Sequence, residues 1–285
     1  TFNSTAAITY TMATRGLRWL TTLEISDTAT TVALATADLA LGAAADAAGI
    51  VVGGNGTLTA NASTVIINAY TQTSATASTL TITTGAWTVS GNWDSSGSTA
   101  VFTQGTGIHT FDATATITLL AADNTFDDLT VSAGTVTLAT AVIVTNALTI
   151  SGGTFAKSTF AITSAGSLTM SGGDLTSTSG NVVVTGAVNI SSVASAIDFG
   201  SETWTISGSW TNASNDFTVW DEGTATVVFD SATGATLNVG DIGASQAEFF
   251  NMTVNSTGAT QQTFTFTASD ILTMSASGLP SASVS

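Results

Sequence analysis

Apolar residues alternate with threonine or serine along most of this 285-residue chain, and the alternating runs return at a nearly constant interval. Four apolar-polar-apolar triplets follow one another at steps of 19, 20 and 20 residues: Leu129/Val131, Leu148/Ile150, Leu168/Met170 and Val188/Ile190. Alternation with a period of two is typical of a strand that buries one face. Turns such as the Ser-Gly-Gly at 151–153 separate the runs, so the pattern predicts many short strands.

Each interval of about 20 residues holds roughly three of these strands. A fixed period divided in this way indicates a chain that winds and stacks on itself, because hairpins do not produce it. We therefore predict an all-β fold, a parallel β-helix (β-solenoid) of about 20 residues per coil, with apolar residues inside and hydroxyl groups outside. On this prediction Leu148 and Leu168 lie side by side in adjacent coils.

A longer repeat is superimposed on the short one. The sequence Ala-Trp-Thr-Val-Ser-Gly-Asn-Trp from Ala86 is echoed by Thr-Trp-Thr-Ile-Ser-Gly-Ser-Trp from Thr203, and each is followed by a Phe-Asp pair, at 111–112 and at 229–230. The chain is therefore predicted to contain four segments: an N-terminal segment, 1–30; less regular first coils, 31–85; a first long repeat, 86–202; and a second, incomplete repeat, 203–285. An incomplete repeat is expected either to continue in a longer polypeptide or to offer its open end to another subunit.

The motifs Trp-Thr-Val/Ile-Ser-Gly-x-Trp, Phe-Asp, x-Phe-x-x-Leu-Thr-Val and Leu-Thr-Ile-Ser-Gly-Gly together resemble the repeat of large secreted β-helix surface proteins of bacteria and archaea. The resemblance covers about residues 86–285, and its motifs are specific for architecture and weak for activity. Members of such families are mostly adhesins, cell-wall or sheath components, filaments and viral fibres. The resemblance therefore implies an extracellular role of the filament or adhesin type.

The N-terminal segment differs from the rest of the chain. Ile8, Tyr10 and Met12 alternate as in a strand, whereas Ala13, Leu17 and Leu20 have helical spacing, so helix and strand stay open there. One hypothesis is that the segment caps the first coil, whose backbone groups would otherwise be unpaired. The other is that residues 1–12 add a strand to a neighbouring copy. The candidate subunit contacts are Ile8, Tyr10, Met12, Arg15, Arg18 and Trp19.

The composition changes the picture of partners. Serine and threonine make up about a third of the residues, and 3 basic residues face 19 acidic ones for a formal charge of −16. This balance argues against nucleic acid and against anionic membrane surfaces as partners, because both need clustered cations. No segment is predicted to insert into a membrane. There is no cysteine, and the absence of an initiator Met and of a leader is what we expect of a secreted protein after processing.

Candidate catalytic groups are few. His109 is the only histidine and is predicted to lie at a surface or corner, and Lys157 is the only lysine and is predicted to be solvated and outward. A covalent cross-link from Lys157 to an Asn or Asp is a minor alternative. Asp127 and Asp128 are adjacent in a predicted strand, so we expect them to point to opposite faces and not to form a catalytic pair. The chain is therefore predicted not to be an enzyme, and polysaccharide cleavage is the least favoured alternative.

No cofactor is predicted, although structural calcium is left open for the acidic turns at 93–98 and 220–224, which carry the oxygen donors that calcium prefers. The tryptophans that recur with the long repeat are predicted to pack in the core or at coil edges: Trp87, Trp93, Trp204 and Trp210. Seven sequons would permit N-glycosylation of an exported protein: Asn3, Asn55, Asn61, Asn189, Asn212, Asn251 and Asn255.

These features favour an extracellular, non-enzymatic structural protein found outside the cell or at its surface. The predicted role is a subunit of a self-assembling filament or sheath, a homopolymer in which copies join head to tail. The alternative is an adhesin or viral fibre module that binds cell-surface glycans. Polymerisation of the pure protein distinguishes the first role from the second.

Overall fold

The strands pair in parallel with strands about 22 residues further along the chain, and the backbone therefore winds as a β-solenoid. Leu58 lies beside Leu80, and Leu148 lies beside Leu168. Each interstrand hydrogen bond consequently joins one turn to the next. The predicted all-β parallel β-helix is confirmed, and the predicted proximity of Leu148 and Leu168 is confirmed with it.

The structure is a computed structural model. It describes residues 8–12, 17–19, 22–26, 30–34, 38–41, 49–120, 124–213, 220–238, 248–255, 264–266 and 273–274. Within these ranges there are strands, turns and bends but no helix. The chain forms two compact units, the first of residues Thr1–Thr130 and Gly134–Ala141, the second of residues Val131–Ala133 and Val142–Ser285.

The strands that begin in the first unit are short, and successive strands belong to different sheets. They are β1 (Ile8–Met12), β2 (Leu17–Trp19), β3 (Leu23–Ile25), β4 (Thr30–Leu34), β5 (Leu39–Leu41), β6 (Gly49–Val52), β7 (Thr57–Asn61), β8 (Val65–Ile67), β9 (Ala69–Thr71), β10 (Ser78–Ile82), β11 (Ala86–Val89), β12 (Trp93–Ser95), β13 (Ala100–Thr103), β14 (Ile108–Phe111), β15 (Ala115–Leu119), β16 (Thr125–Val131) and β17 (Thr135–Leu138).

Three parallel sheets enclose the core of the first unit. Their strand orders are β1-β4-β7-β10-β13, β2-β5-β8-β11-β14-β16 and β3-β6-β9-β12-β15-β17. Each strand from β1 to β12 therefore pairs with the strand three places later, and in this part of the unit one turn gives one strand to each sheet. The three sheets face one another, so the inner face of every strand is buried and the outer face is turned toward water.

The second unit follows the same plan, with two long strands at its start. Its strands are β18 (Val142–Ile150), β19 (Thr154–Ser158), β20 (Ile162–Met170), β21 (Gly173–Ser177), β22 (Val182–Val184), β23 (Val188–Ile190), β24 (Ser195–Asp198), β25 (Thr203–Ile206), β26 (Trp210–Asn212), β27 (Trp220–Asp221), β28 (Thr226–Phe229), β29 (Ala235–Asn238), β30 (Glu248–Phe249), β31 (Asn251–Val254), β32 (Phe264–Phe266) and β33 (Thr273–Met274).

A corner of the coil lies within the long strands of the second unit. The first half of β20 pairs with β22 and its second half with β23. From there the strands run in the orders β22-β25-β28-β31 and β23-β26-β29-β32, while β19, β21, β24 and β27 form another face. A single long strand is thus replaced by two strands in the following turn, and the β20–β22 ladder shifts its register between Ile162 and Ala165.

Inward and outward positions alternate as the sequence predicts. In β4, β7 and β10 the residues Val32, Leu58 and Leu80 are fully buried, and their outward neighbours are threonines except for Ala33. Burial of an aliphatic side chain of this size contributes about 1.5–3 kcal/mol. The repeated tryptophans, predicted to pack in the core or at coil edges, are all fully buried: Trp87, Trp93, Trp204 and Trp210.

The N-terminal residues that the structure describes are strands of the solenoid. β2 pairs with β5 in parallel, so the helical alternative is wrong for Leu17–Trp19, while Ala13 and Leu20 lie outside the described residues. β1 pairs with β4 of the same chain, with Tyr10 beside Val32. The exchange of this segment between copies stays a prediction.

Successive turns of the second unit approach most closely at a column of glycines. A Cβ atom on Gly166 would lie 2.2 Å from the Asn146 carbonyl oxygen, and one on Gly186 would lie 2.0 Å from the Gly166 carbonyl oxygen. Gly208 meets Gly186 in the same way, at 2.3 Å. Glycine is required here because the backbone of the preceding turn occupies the space of any side chain.

We expect the change Gly186→Ala to destabilise the protein by about 1–3 kcal/mol, since the added methyl group overlaps the backbone of the previous turn. The matched control is Gly53→Ala, because a Cβ at Gly53 meets nothing within 4 Å. That control should stay within about 0.5 kcal/mol of the parent. Urea denaturation of the three proteins measures the difference, and equal midpoints for both variants would contradict the close approach.

Candidate functional site

An aromatic cluster fills the core of the first unit around the only histidine. Trp93 stacks on Tyr70 with ring centroids 4.3 Å apart. His109 lies 5.2 Å from Trp93 and 4.9 Å from Phe126, both in edge-to-face geometry. Aromatic rings favour this arrangement because the positive edge of one ring meets the negative face of another.

His109 is buried, so the expectation of a surface or corner histidine is wrong. It pairs with Trp87 across β11 and β14, and its exposed fraction is 0%. Two sequence signals mark its position: it lies two residues before the buried Phe111, and it takes the place of Val227 in the second long repeat. A histidine at this position cannot reach a substrate in solvent.

Burial also sets the charge of His109. Desolvation lowers its pKa from 6.5 to about 3, and the backbone of Gly107 acts weakly in the opposite direction. Among the described residues, neither ring nitrogen has a hydrogen-bond partner of good geometry. The ring is therefore neutral at ordinary pH and packs as one more aromatic group of the cluster.

The second long repeat builds its own aromatic cluster in the second unit. Phe199 lies 4.9 Å from Trp204, and Trp210 lies 5.9 Å from Phe249. Phe229 lies 6.3 Å from Trp210. The tryptophans and phenylalanines of both repeats thus fill the interior of the coil.

The Phe-Asp pairs of the long repeat have a second role on the outer surface. Ser90 donates a hydrogen bond to Asp112 at 2.7 Å, and Ser207 donates one to Asp230 at 2.7 Å. In each case the serine follows the Trp-Thr-x motif, and the aspartate is in the next turn. The spacing of the two motifs along the sequence is therefore the spacing of two neighbouring turns.

Lys157 is the center of a buried polar site in the second unit, so the expectation of a solvated outward lysine is wrong. Its side chain has an exposed fraction of 0%, and its Nζ lies 3.1 Å from Glu202 Oε1. Nζ also donates to the carbonyl oxygens of Ser179 at 2.7 Å, Gly180 at 2.5 Å and Phe160 at 3.4 Å. The alternation of β19 explains the direction, because Lys157 follows the buried Phe155 by two residues.

Glu202 receives further donors inside the coil. Its Oε1 accepts hydrogen bonds from Ser177 Oγ at 2.5 Å and from Trp204 Nε1 at 3.1 Å. Its Oε2 is buried without a hydrogen-bond partner in the described structure. One carboxylate oxygen therefore collects every donor, including Lys157, and the other collects none.

Neighbouring charges offset only part of the effect of burial on the pKa of Lys157. Burial lowers the pKa of Lys157, while the hydrogen bond and charge of Glu202 and the charge of Asp198 raise it. Burial also raises the pKa of Asp198, which pairs in register with Asp221 on the neighbouring strand. The charge of Asp221, directly opposite in the ladder, and the charge of Glu202 also raise the pKa of Asp198, because like charges repel.

In the acidic turns considered for calcium, the aspartates accept hydrogen bonds from residues of the same turn. Asp94 accepts hydrogen bonds from the amide and hydroxyl of Ser96, and Asp221 accepts one from the amide of Gly223 at 3.0 Å. Within the described ranges, no group of three or more His, Asp or Glu side chains is placed to hold a metal ion. Structural calcium stays a prediction.

Asp127 and Asp128 do not follow simple alternation. Both are half-buried, between the buried Phe126 and Leu129 in β16. The expectation that the two aspartates point to opposite faces is therefore wrong, because two half-buried residues stand between two buried ones. Their position on the partly exposed surface does not by itself create a catalytic pair.

The predicted subunit contacts lie in the first strands. Ile8, Tyr10 and Met12 belong to β1, and Arg18 and Trp19 belong to β2, whereas Arg15 lies outside the described residues. The sequons fall into different environments. Asn55, Asn189 and Asn255 are exposed, Asn61 and Asn251 are half-buried, Asn212 is buried, and Asn3 lies outside the described residues. Glycosylation stays a prediction, and only exposed side chains offer room for a glycan.

One outer face of the first unit carries two rows of uncharged residues, which we name the threonine face. It consists of the outward positions of β4, β7, β10 and β13: Thr31, Ala33, Thr57, Thr59, Thr79, Thr81, Val101 and Thr103. The rows are in register, since Thr57 lies beside Thr79 and Thr59 beside Thr81. Hydroxyl groups therefore repeat at the strand spacing of about 4.8 Å along each row.

No protein-family model, no curated protein and no solved structure matches this chain. The architecture is nevertheless that of β-helix repeat proteins, as the sequence resemblance implies. In the part of the chain described, no helix combines the length and the apolar character needed to cross a bilayer.

The stability of the protein should fall in acid partly because of His109. The unfolded chain binds a proton at this residue below pH 6.5, whereas the folded chain does so only near pH 3, so protonation favours unfolding between these values. Between these pH values the free energy of unfolding falls by about 1.4 kcal/mol for each unit that the pH decreases. We expect the stability difference between the parent and His109→Leu to change by about 3 kcal/mol from pH 7 to pH 4. Parallel pH curves in urea denaturation would show that the histidine is accessible to protons in the folded state.

Proposed function

We propose that this protein is an extracellular structural protein, a β-solenoid building block of a filament or sheath in which copies stack head to tail. The observation that carries the proposal is the parallel, in-register stacking of turns in both units. Each turn presents to the next the same rows of N–H and C=O groups. A sheet of this kind can be continued by a turn from another chain with the same strand spacing.

The terminal strands of the sheets supply the surfaces for such stacking. Among the described strands, β1, β2 and β3 stand at one end of their sheets in the first unit, and each has a paired neighbour on one side. No other described strand pairs with the opposite side of β1, β2 or β3, and we propose that a parallel strand of another copy adds there. Contacts between unlike surfaces that do not close into a ring produce filaments.

The polar groups of the molecule support a structural role more than a catalytic one. The only histidine and the only lysine are buried, so neither offers a base to a substrate on the surface. The outer surface is instead rich in hydroxyl groups, and the formal charge of −16 disfavours lateral association of copies at low salt. These features therefore favour association through the terminal strands over association side by side.

We expect the purified protein to polymerise as its concentration rises, with filaments visible by electron microscopy and a growing fast-sedimenting fraction. A chain that stays monomeric at every concentration and salt tested would contradict the proposal. Deletion of residues 1–12 tests the role of β1 separately. Shorter or fewer polymers would support strand exchange, whereas polymers of normal length would refute strand exchange and leave stacking in place.

The alternative function is an adhesin or viral fibre module, and the threonine face is the observation that favours it. A surface with two regular rows of hydroxyl and methyl groups is suited to a flat, repeating polymer such as a glycan chain, because sugars also present alternating polar and apolar patches. The face carries no charge that would need desolvation. An adhesin of this kind stays dispersed until its target is added.

Substitution on the threonine face separates the two functions. We expect Thr59→Lys/Thr81→Lys to reduce binding to immobilised glycans at least tenfold if the face binds them, since two buried charges oppose contact with an uncharged ligand. Thr88→Lys/Thr110→Lys, on the outer side of a different sheet, is the matched control. Glycan-array signals that are absent from the parent, or equal in both variants, would exclude this face as the binding surface.

A further inference from the structure

Lys157 and Glu202 form an ion pair that is completely buried. Lysine and glutamate side chains are rarely both withdrawn from water, yet both of these have an exposed fraction of 0%. We propose that Lys157 and Glu202 condense into an intramolecular amide, a covalent cross-link formed by the protein itself. This modification is independent of filament formation and of glycan binding.

The surroundings of Lys157 orient the amine for attack. Three backbone carbonyl oxygens surround Nζ, those of Ser179 and Gly180 at 2.7 and 2.5 Å and that of Phe160 at 3.4 Å, and the two nearer ones are placed to accept the two N–H bonds of a neutral amine. The remaining direction at Nζ faces Glu202, whose Oε1 is 3.1 Å away. The lone pair of the deprotonated amine is therefore directed toward the carboxyl group and not toward water.

The surroundings of Glu202 activate its carboxyl group. Ser177 Oγ and Trp204 Nε1 both donate to Oε1, where negative charge develops when a nucleophile attacks the carboxyl carbon. The second oxygen, Oε2, is buried without a partner in the described structure, which suits a protonated oxygen that leaves as water. The donors thus distinguish the oxygen that stays from the oxygen that departs.

The dry interior favours the neutral reactants. In a medium of low polarity, transfer of a proton from the ammonium to the carboxylate removes two charges at once. Burial lowers the pKa of Lys157 and so supports this transfer. Asp198, whose own pKa is raised by burial, also acts on Lys157 through its charge.

The reaction balances without another reactant. The Nζ–Cδ bond forms, the Cδ–Oε2 bond breaks, and Oε2 leaves as water with one proton from the acid and one from the amine. No group is oxidised or reduced. The product amide keeps Oε1 as its carbonyl oxygen, still hydrogen-bonded to Ser177 and Trp204.

The cross-link would join turns that are not adjacent in the ladder. Lys157 is in β19, and β19 pairs with β21, which pairs with β24 before the chain reaches Glu202. The bond therefore closes a loop over the one turn between them, which contains β21. Closing a loop restricts the unfolded chain and stabilises the fold, as a disulfide would in a protein that has cysteines. This chain has none.

The mass of the intact, denatured protein tests the proposal directly. We expect it to be lower than the mass of the sequence by one water molecule, and tandem mass spectrometry should identify a branched peptide that joins Lys157 to Glu202. Trypsin gives a second readout, because Lys157 is the only lysine. The denatured parent should resist cleavage at this residue, since an amide carries no charge for trypsin to recognise.

The matched control is Lys157→Arg, which keeps the positive charge but cannot deprotonate to act as a nucleophile. This variant should have its full sequence mass and should be cleaved at position 157 after denaturation. Ser177→Ala should slow cross-linking, visible as a larger uncross-linked fraction soon after synthesis. A parent protein of full sequence mass that trypsin cleaves after Lys157 would overturn the proposal, and no variant needs to fold for that result to count.

Discussion

The backbone hydrogen bonds between parallel strands of successive turns are the constraint on which the rest of the structure depends. They hold each residue beside the residue one turn later, as Leu148 is held beside Leu168. Inward side chains therefore contact their counterparts above and below, and one poorly fitting residue affects three turns. The two long repeats place tryptophan, phenylalanine and aspartate in the same order, and the serine–aspartate hydrogen bond between neighbouring turns recurs in both.

Much of the fold follows from the sequence because its signals are local and repeated. The alternation of apolar residues with threonine predicts which face of β7 or β10 is buried, and the period predicts which strands pair. The positions of the buried polar groups were harder to predict, because their residue type suggested the surface whereas the alternation suggested the interior. His109 and Lys157 each stand two residues from a buried phenylalanine, and that spacing overrides their polarity. Their partners belong to other turns and are visible only in three dimensions.

The two buried sites differ in how the protein meets the cost of burying polar atoms. His109 stays neutral among aromatic rings, so no charge needs a partner. Lys157 is surrounded by oxygen atoms from three backbone carbonyls and from Glu202. Lys157 lies inside the coil because it alternates with the buried Phe155, and the ladder between β19 and β21 shifts its register beside it, between Ala156 and Ser158.

The direction of the interstrand hydrogen bonds has a mechanical consequence. Within each unit these bonds run from turn to turn, while covalent backbone runs around each turn. Tension along the stacking direction loads the hydrogen bonds of one turn at a time, so turns would detach singly and each would release its own short length of chain. Tension across the stack is borne by peptide bonds instead. Material of this build lengthens in steps along one axis and resists stretching across it.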